Sequence, residues 1–310
     1  MSLLPQFVFL VIGFVLLIKG ADYFVEGASL IASKFGIPQI VIGLTIVACG
    51  TSAPEAAVSI SAAFKGTVGI TVGNIVGSNI MNILLILGIT AIVAKVPIKE
   101  GTVKVEMPFV IVISGVLLVL GLIQGDLSRI DGAIMWIFFL GFFGYLIHLT
   151  RKDPVEDEIP HLVPMWKMIV YTIGGLIAIV WGSDITVDAA TEIAKALHVT
   201  DRIIGLTVVA VGTSLPELVT SVTAAMKGKT EIAVGNIVGS NIFNILFVVG
   251  TVALIHPIPF SMQFVPDLMV AIFAAVILWV LSIRDRELTK GNGTVMLLCY
   301  VAYIIQLVLR

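Results

Sequence analysis

Residues 41–88 and 203–250 are two copies of one segment, and no other feature restricts the fold of this chain so tightly. The first reads VIGLTIVACGTSAPEAAVSISAAFKGTVGITVGNIVGSNIMNILLILG. The second reads IIGLTVVAVGTSLPELVTSVTAAMKGKTEIAVGNIVGSNIFNILFVVG. They align without a gap at an offset of 162, with 30 identities over 48 positions. Apolar helices resemble one another through composition alone, but shared GTSxPE and GNIVGSNIxN elements do not arise that way. Each copy sets one glutamate, Glu55 or Glu217, inside an otherwise apolar run.

The surrounding sequence is that of a polytopic membrane protein. Of 310 residues 58% are hydrophobic and only 12% charged, against about a quarter charged in a soluble domain. Apolar blocks fall near 6–26, 38–63, 69–94, 106–124, 130–150, 165–190, 200–225, 231–255, 266–283 and 293–309. A spanning helix needs ~20 such residues, so the expectation is an all-α protein with ten transmembrane helices. The opening MSLLPQFVFLVIGF lacks a basic segment and a small-residue cleavage site, and reads as a retained first helix. Cys49 and Cys299 both lie in apolar blocks, where no disulfide is expected. A net charge of −2 gives no sign of a nucleic-acid partner.

The two copies begin in the second and seventh blocks, so five crossings, an odd number, separate them. They therefore face opposite ways across the bilayer. Such an inverted-topology repeat builds one substrate site between its halves near the midplane. Gly20 and Asp22 match Gly182 and Asp184 at the same offset, which extends the repeat to the first and sixth helices. The chain divides into an N-terminal five-helix repeat (1–150), a linker (151–164) and a C-terminal five-helix repeat (165–310). With both termini outside, twelve Lys and Arg lie on inner loops against five on outer ones. This bias predicts a cytoplasmic linker in a multi-pass protein of the cell membrane. The linker acids Asp153, Glu156, Asp157 and Glu158 read as a solvated hinge. Lys19, Asp22, Glu26, Asp184, Asp188 and Glu192 read as markers of helix ends at the interface.

Within each repeat the residues concentrate oxygen. A proline inside a helix removes one hydrogen bond and clashes with the carbonyl four residues back, here Gly50 or Gly212. Glycine beside proline lets the helix open, and bare carbonyls at membrane depth persist only where they line a cavity or bind something. Thr51 and Ser52 lie four and three residues before Glu55, on a shared helical face. An ionised carboxylate there must be protonated or paired with a cation. Apart from Arg202 at the edge of the seventh, no Lys or Arg lies inside the second, third, seventh or eighth span, so the missing partner is a bound ion. Two carboxylates with carbonyls and hydroxyls suit the 6–8 oxygen ligands of Ca²⁺. No His or Cys cluster lies nearby to suggest zinc or copper. Asn74, Ser78 and Asn82 recur every four residues, as do Asn236, Ser240 and Asn244, each set forming one polar stripe. Ser78, Asn82, Ser240 and Asn244 are read as coordinating or gating, and Asn74, Asn79, Asn236 and Asn241 as interhelical hydrogen bonders. The pairs Gly73/Gly77 and Gly235/Gly239 allow close helix approach.

At these residues the sequence resembles the calcium/cation antiporter superfamily, and within it the Na⁺/Ca²⁺ exchangers of compact prokaryotic type. The motifs that carry the likeness stand at 50–55, 73–82, 212–217 and 235–244, in both halves. The resemblance implies two inverted five-helix halves with ions bound between spans two, three, seven and eight. Position by position, it assigns Ca²⁺ to Glu55, Glu217, Thr51 and Thr213. It assigns one Na⁺ site to Ala48, Ser52, Ser78 and Glu55, and its counterpart to Ala210, Ser214, Ser240 and Glu217. Asn82 and Asn244 flank the centre, and the first and sixth helices slide to alternate access. Potassium-dependent exchangers, and some archaeal relatives, carry Asp where this chain has Asn244, so asparagine here is like the potassium-independent branch. Proton/Ca²⁺ exchangers usually carry a GNxxE version of the first element, absent here. Ala53 and Cys49 depart from the bulkier apolar residues common in the family.

The reading favoured is electrogenic Na⁺/Ca²⁺ antiport, with Ca²⁺ and Na⁺ as transported ions and no cofactor. As the resemblance implies, about three Na⁺ replace one Ca²⁺, so voltage acts on the cycle. An H⁺/Ca²⁺ exchanger using the same glutamate pair is the alternative. A passive channel suits inverted repeats less well, and no nucleophile–base or HExxH arrangement points to an enzyme. Nothing in the sequence requires more than a monomer.

Overall fold

The structure, a computed structural model, describes residues 3–66, 68, 71–152, 163–197 and 210–309, with the backbone alone of Ala210. Its helices in chain order begin with α1 (Leu4–Phe35), followed by a bent pair, α2 (Gln39–Thr51) and α3 (Ala53–Phe64), whose axes differ by 51°. Next come α4 (Thr71–Val93), α5 (Thr102–Gln124), α6 (Arg129–Lys152) and α7 (Met165–Ala196). The chain continues with the short α8 (Ala210–Thr213) and α9 (Leu215–Met226). It ends with α10 (Thr230–Ile255), α11 (Phe264–Ile283) and α12 (Lys290–Leu309). Among the described residues eight helices are long and apolar enough to cross a membrane, and the bent pair makes nine. The block expected at 200–225 begins outside the described residues and enters them as α8 and α9.

The lipid-facing surface and the core follow from helix composition. α4 and α10 are buried over most of their length, whereas α1, α5, α6, α7, α11 and α12 keep wide apolar faces outward. Burying the helices that carry polar side chains and leaving apolar faces outward is the arrangement that hydrocarbon solvent favours. The two central helices carry the GNIVGSNIxN elements, so the polar stripes lie at the core rather than in lipid.

α1 and α7 are the exception to the expected lengths. The apolar blocks end near residues 26 and 190, but the helices run on to Phe35 and Ala196. At 1.5 Å per residue, 32 residues span roughly 48 Å, well beyond the ~30 Å hydrocarbon core. Lys19, Asp22, Glu26, Asp184 and Asp188 therefore do not mark helix ends; they sit within continuous helices. Hydropathy stops at the charges, whereas the backbone continues because two of these acids find partners across the bundle. Lys227 Nζ lies 3.2 Å from Asp22 and Lys229 Nζ lies 3.0 Å from Glu26.

Glycines let α1 and α7 run against each other, antiparallel, at backbone contact. A β-carbon on Gly20 would lie 2.9 Å from the Gly175 carbonyl oxygen, and one on Gly182 would lie 2.8 Å from the Leu17 nitrogen. Gly13, Gly20 and Gly27 recur every seven residues on α1, and Gly175 and Gly182 do so on α7. This smooth seam uses the small-residue packing expected between membrane helices. The Gly235/Gly239 pair behaves as expected too: β-carbons there would sit 2.9 Å from the Gly43 Cα and 2.7 Å from the Leu44 Cα. The residues aligned with that partner segment for Gly73 and Gly77 are 202–209, outside the described residues.

Two short antiparallel ribbons tie the halves together at opposite faces. β1 (Val96–Pro97) pairs with β4 (Glu287–Leu288), and β2 (Asp126–Leu127) pairs with β3 (Ile258–Pro259). Val96 and Ile258 are 162 residues apart and occupy equivalent places in the two ribbons. The face of β1 and β4 is also that of the Lys227 and Lys229 pairs, through the Lys99–Glu231 ion pair at 3.0 Å. There Lys104 donates a hydrogen bond to the Glu100 carboxyl and, with Arg286 beside it, holds it below the usual carboxylate range. α1 ends and α7 begins on this side, called here the linker face.

Candidate ion-binding site

Each GTSxPE motif breaks its helix two residues after the glycine. The chain leaves helical geometry at Ser52 (φ −83°, ψ 6°) and at Ser214 (φ −96°, ψ 7°). Helices α3 and α9 then start afresh, with Pro54 and Pro216 in their first turns, where the missing N–H costs nothing. Glu55 and Glu217 also fall in those first turns. The positive end of each new helix dipole thus favours the negative charge placed there. Proline frees the Gly212 carbonyl, and Ser183 of α7 donates to it at 2.7 Å. The aligned residue of α1, Ala21, carries no hydroxyl.

Both glutamates are completely buried. They belong to one hydrogen-bonded cluster drawn from both halves. Ser52 donates to Glu217 Oε1 at 2.8 Å, Ser78 donates to Glu55 Oε1 at 3.4 Å, and the Ser78 and Ser214 hydroxyls lie 3.3 Å apart. The Thr51 hydroxyl donates to Asn236 Oδ1 at 2.9 Å, and Asn236 Nδ2 donates to Ser221 Oγ at 2.9 Å. Ala48 is fully buried at the start of the last turn before the break, and Thr213 stands immediately before Ser214.

Four asparagines complete the centre with crossed bonds. Asn79 Nδ2 donates to the Asn241 carbonyl and Asn241 Nδ2 to the Asn79 carbonyl, both at 3.3 Å. Asn82 Nδ2 donates to Asn241 Oδ1 at 3.2 Å, and Asn244 Nδ2 donates to Asn79 Oδ1 at 3.1 Å. Asn79 and Asn241 are thus the interhelical hydrogen bonders anticipated from sequence. They also fix the amides of Asn82 and Asn244, so that the oxygens of these two are left over. Immediately afterwards both central helices widen into π-helical turns, Asn82–Leu87 and Phe243–Val249. Such widenings concentrate at functional sites. Neither they nor the π turn Gly43–Val47 of α2 carry a pattern that hydropathy detects.

The leftover atoms define what the site can do. Glu55 Oε2, Glu217 Oε2, Asn82 Oδ1, Asn244 Oδ1 and Ser240 Oγ are all buried without a hydrogen-bond partner. An unsatisfied buried polar atom costs roughly 1–3 kcal/mol, more when charged, so these oxygens are candidates to bind a ligand. All five are oxygen, which selects hard cations over zinc or copper. Among the described residues no three His, Cys, Asp or Glu side chains form a metal cluster, so hydroxyls and amides must contribute. The side chain of Ala210 lies outside the described residues.

The chain as a whole is similar to known proteins. The family model described as sodium/calcium exchanger protein matches residues 5–148 and 167–309. The chain belongs to the sodium/calcium exchanger family. Among its exchanger relatives is the putative antiporter CaxA of Alkalimonas amylolytica, 38% identical over 308 residues and 96% of each chain. Another is the sodium/calcium exchanger MaX1 of Methanosarcina acetivorans, 32% identical over 346 residues, covering 97% of this chain and 98% of that one. The fold is similar to that of the sodium-calcium exchanger NCX_Mj, crystals of which were soaked with zero Na⁺ and Ca²⁺. The TM-score is 0.85 at 31% identity, covering 99% of this chain and 100% of that chain.

Three features of this exchanger-family chain escaped the sequence. Ser183 carries no motif, and only the alignment of α1 with α7 draws attention to it. The glycine seam shows as a seven-residue period that hydropathy ignores. Glu106, a third buried carboxyl, takes a hydrogen bond from Tyr145 at 2.6 Å and leaves its Oε2 unpartnered. Leu268 stands at its repeat position, so it lies outside the duplicated pattern.

Proposed function

We propose that this protein is an electrogenic, K⁺-independent Na⁺/Ca²⁺ antiporter of the cell membrane that works by alternating access. Its ten crossings form two five-helix halves of opposite orientation, with the linker cytoplasmic. The observation that carries the reading is the pair of buried glutamates, each with a free oxygen, in a cluster that also leaves Asn82, Asn244 and Ser240 oxygens unpartnered. The repeat-equivalent ribbons at opposite faces support the inverted arrangement.

In this reading Glu55 and Glu217 hold Ca²⁺ with the Thr51 and Thr213 backbone oxygens, and two charges neutralise two charges. Na⁺ takes the flanking positions: Ala48, Ser52, Ser78 and Glu55 on one side, Ala210, Ser214, Ser240 and Glu217 on the other. Asn82 and Asn244 flank the centre. The same acids serve both ions, so occupation by Ca²⁺ excludes Na⁺; a second divalent ion leaves uncompensated charge in a low-dielectric site. Exchange of about three Na⁺ for one Ca²⁺ moves net charge, and each charge responds to voltage by about 2.3 kcal/mol per 100 mV. Asn244 in place of an acid removes the extra negative charge that a K⁺ would balance.

Binding to purified protein tests the competition. Ca²⁺ bound in choline buffer is displaced by Na⁺ with a steep, cooperative dependence and is indifferent to K⁺. Displacement by acid but not by Na⁺ points instead to H⁺/Ca²⁺ exchange.

A further inference from the structure

The two halves repeat in sequence but not in how they close, and the difference lies in charged pairs remote from the ion site. On the linker face Lys227 Nζ lies 3.2 Å from the Asp22 carboxylate and donates to the Asp22 carbonyl at 2.8 Å. Lys229 Nζ meets Glu26 at 3.0 Å. At an offset of 162, Asp22 and Glu26 align with Asp184 and Asp188, and Lys227 aligns with Lys65. Among the described residues Lys65, Asp184 and Asp188 make no ion pair, and all three are exposed.

Packing follows the same asymmetry. Ala28 and Ala32 of α1 are buried in a cluster with Ala224 and Ala225 of α9 and Ile232 and Ala233 of α10. Their counterparts on α7, Ala190 and Ala194, are only half-buried. Among the described residues α1 lies along α9, whereas α7 makes no comparable packing against α3. Among the described residues the linker face is therefore closed, and the opposite face carries fewer such contacts.

We propose that the Asp22–Lys227 and Glu26–Lys229 pairs latch the linker face shut, and that Asp184 and Lys65 form the corresponding pair when the opposite face closes instead. The inference rests on the alternating-access reading and adds its control. Lys229 aligns with Thr67, so the linker face has two pairs where the opposite face has one. The chain is thereby biased towards the state with its linker face closed. Partly exposed pairs of this kind are individually weak, which suits a latch that must open in every cycle.

Hydrogen exchange read by mass spectrometry on the full chain in lipid nanodiscs, without Ca²⁺ or Na⁺, tests this. Neutralising Lys227→Gln with Lys229→Gln is expected to speed exchange along α9 and slow it along α3, each by about three- to tenfold. Lys65→Gln is expected to act in the reverse sense, by about two- to threefold. The charge swap Asp22→Lys with Lys227→Asp restores the original pattern. About 1 M choline chloride, which shortens screening to ~3 Å, reproduces the double variant's shift in the unaltered protein, so the test survives a variant that fails to fold. Exchange that rises on both α3 and α9, or changes on neither, overturns the latch. Na⁺-driven Ca²⁺ uptake by the unaltered protein is measured alongside. Its absence refutes the exchanger reading, whereas uptake without reciprocal exchange refutes the latch alone.

Discussion

Ser52 of the first half donates its hydroxyl to Glu217 of the second at 2.8 Å, with both residues fully shielded from water. One half's helix break thus orients the other half's acid, and the proposed ion site draws on both copies. Ser52→Ala removes the hydroxyl that donates to Glu217 Oε1. A hydrogen bond to a charged group contributes about 1.5–3 kcal/mol, so the Na⁺ concentration for half-maximal Ca²⁺ efflux should rise tenfold or more. Ser52→Thr keeps a hydroxyl and should recover most of the loss; an unchanged Na⁺ dependence in Ser52→Ala counts against this role.

Glu55→Gln and Glu217→Gln should each abolish exchange while the protein still folds. The neutral amide removes a buried charge whose only compensation is the ion, so the ion-free variant should be at least as thermally stable as the unaltered protein. Ca²⁺ at a hundred times its dissociation constant stabilises a binding protein by about 2.7 kcal/mol. That shift in unfolding temperature should vanish in both variants, and its persistence in either would place Ca²⁺ elsewhere.

Asn244→Asp changes both charge and hydrogen bonding. The carboxylate adds a third negative group and can no longer donate to Asn79 Oδ1, now 3.1 Å away. Ca²⁺ should bind more tightly and leave more slowly, and added K⁺ should become a determinant of the exchange rate. Rates compared in K⁺ and choline media check this, and the unaltered protein should show no difference.

The α1–α7 seam should not tolerate a side chain. Gly182→Ala forces a methyl to within 2.8–2.9 Å of α1 backbone atoms, and overpacking of this kind costs about 1–3 kcal/mol. Gly174→Ala, on the same helix with nothing within 4 Å of its new methyl among the described residues, should be neutral or stabilising. Thermal unfolding of the two variants in the same detergent separates them.

Much of this was legible because duplication and membrane solvation both write themselves into sequence. Glu55 and Glu217 stand out as acids without bases in apolar runs, and the motif serines and asparagines follow at helical spacing. Proline's clash points to the carbonyls of Gly50 and Gly212, whereas the backbone turns two residues later, just before each new helix. The apolar blocks of α1 and α7 stop near residues 26 and 190, short of the helix ends at Phe35 and Ala196. Hydropathy scores a charge as water-facing and does not see that Lys227 and Lys229 wait across the bundle for Asp22 and Glu26. Ser183 and the π-helical turns depend on which helices meet, and no local pattern encodes that.

The central claim is that a Na⁺ gradient drives Ca²⁺ through a site made by Glu55 and Glu217. The most direct measurement is ⁴⁵Ca²⁺ uptake into proteoliposomes under separately imposed Na⁺, K⁺ and H⁺ gradients. Uptake driven by an outward Na⁺ gradient, unaltered by removing K⁺ and enhanced by an inside-positive potential, is the expected result. Uptake that ignores Na⁺ and follows the pH gradient would contradict it.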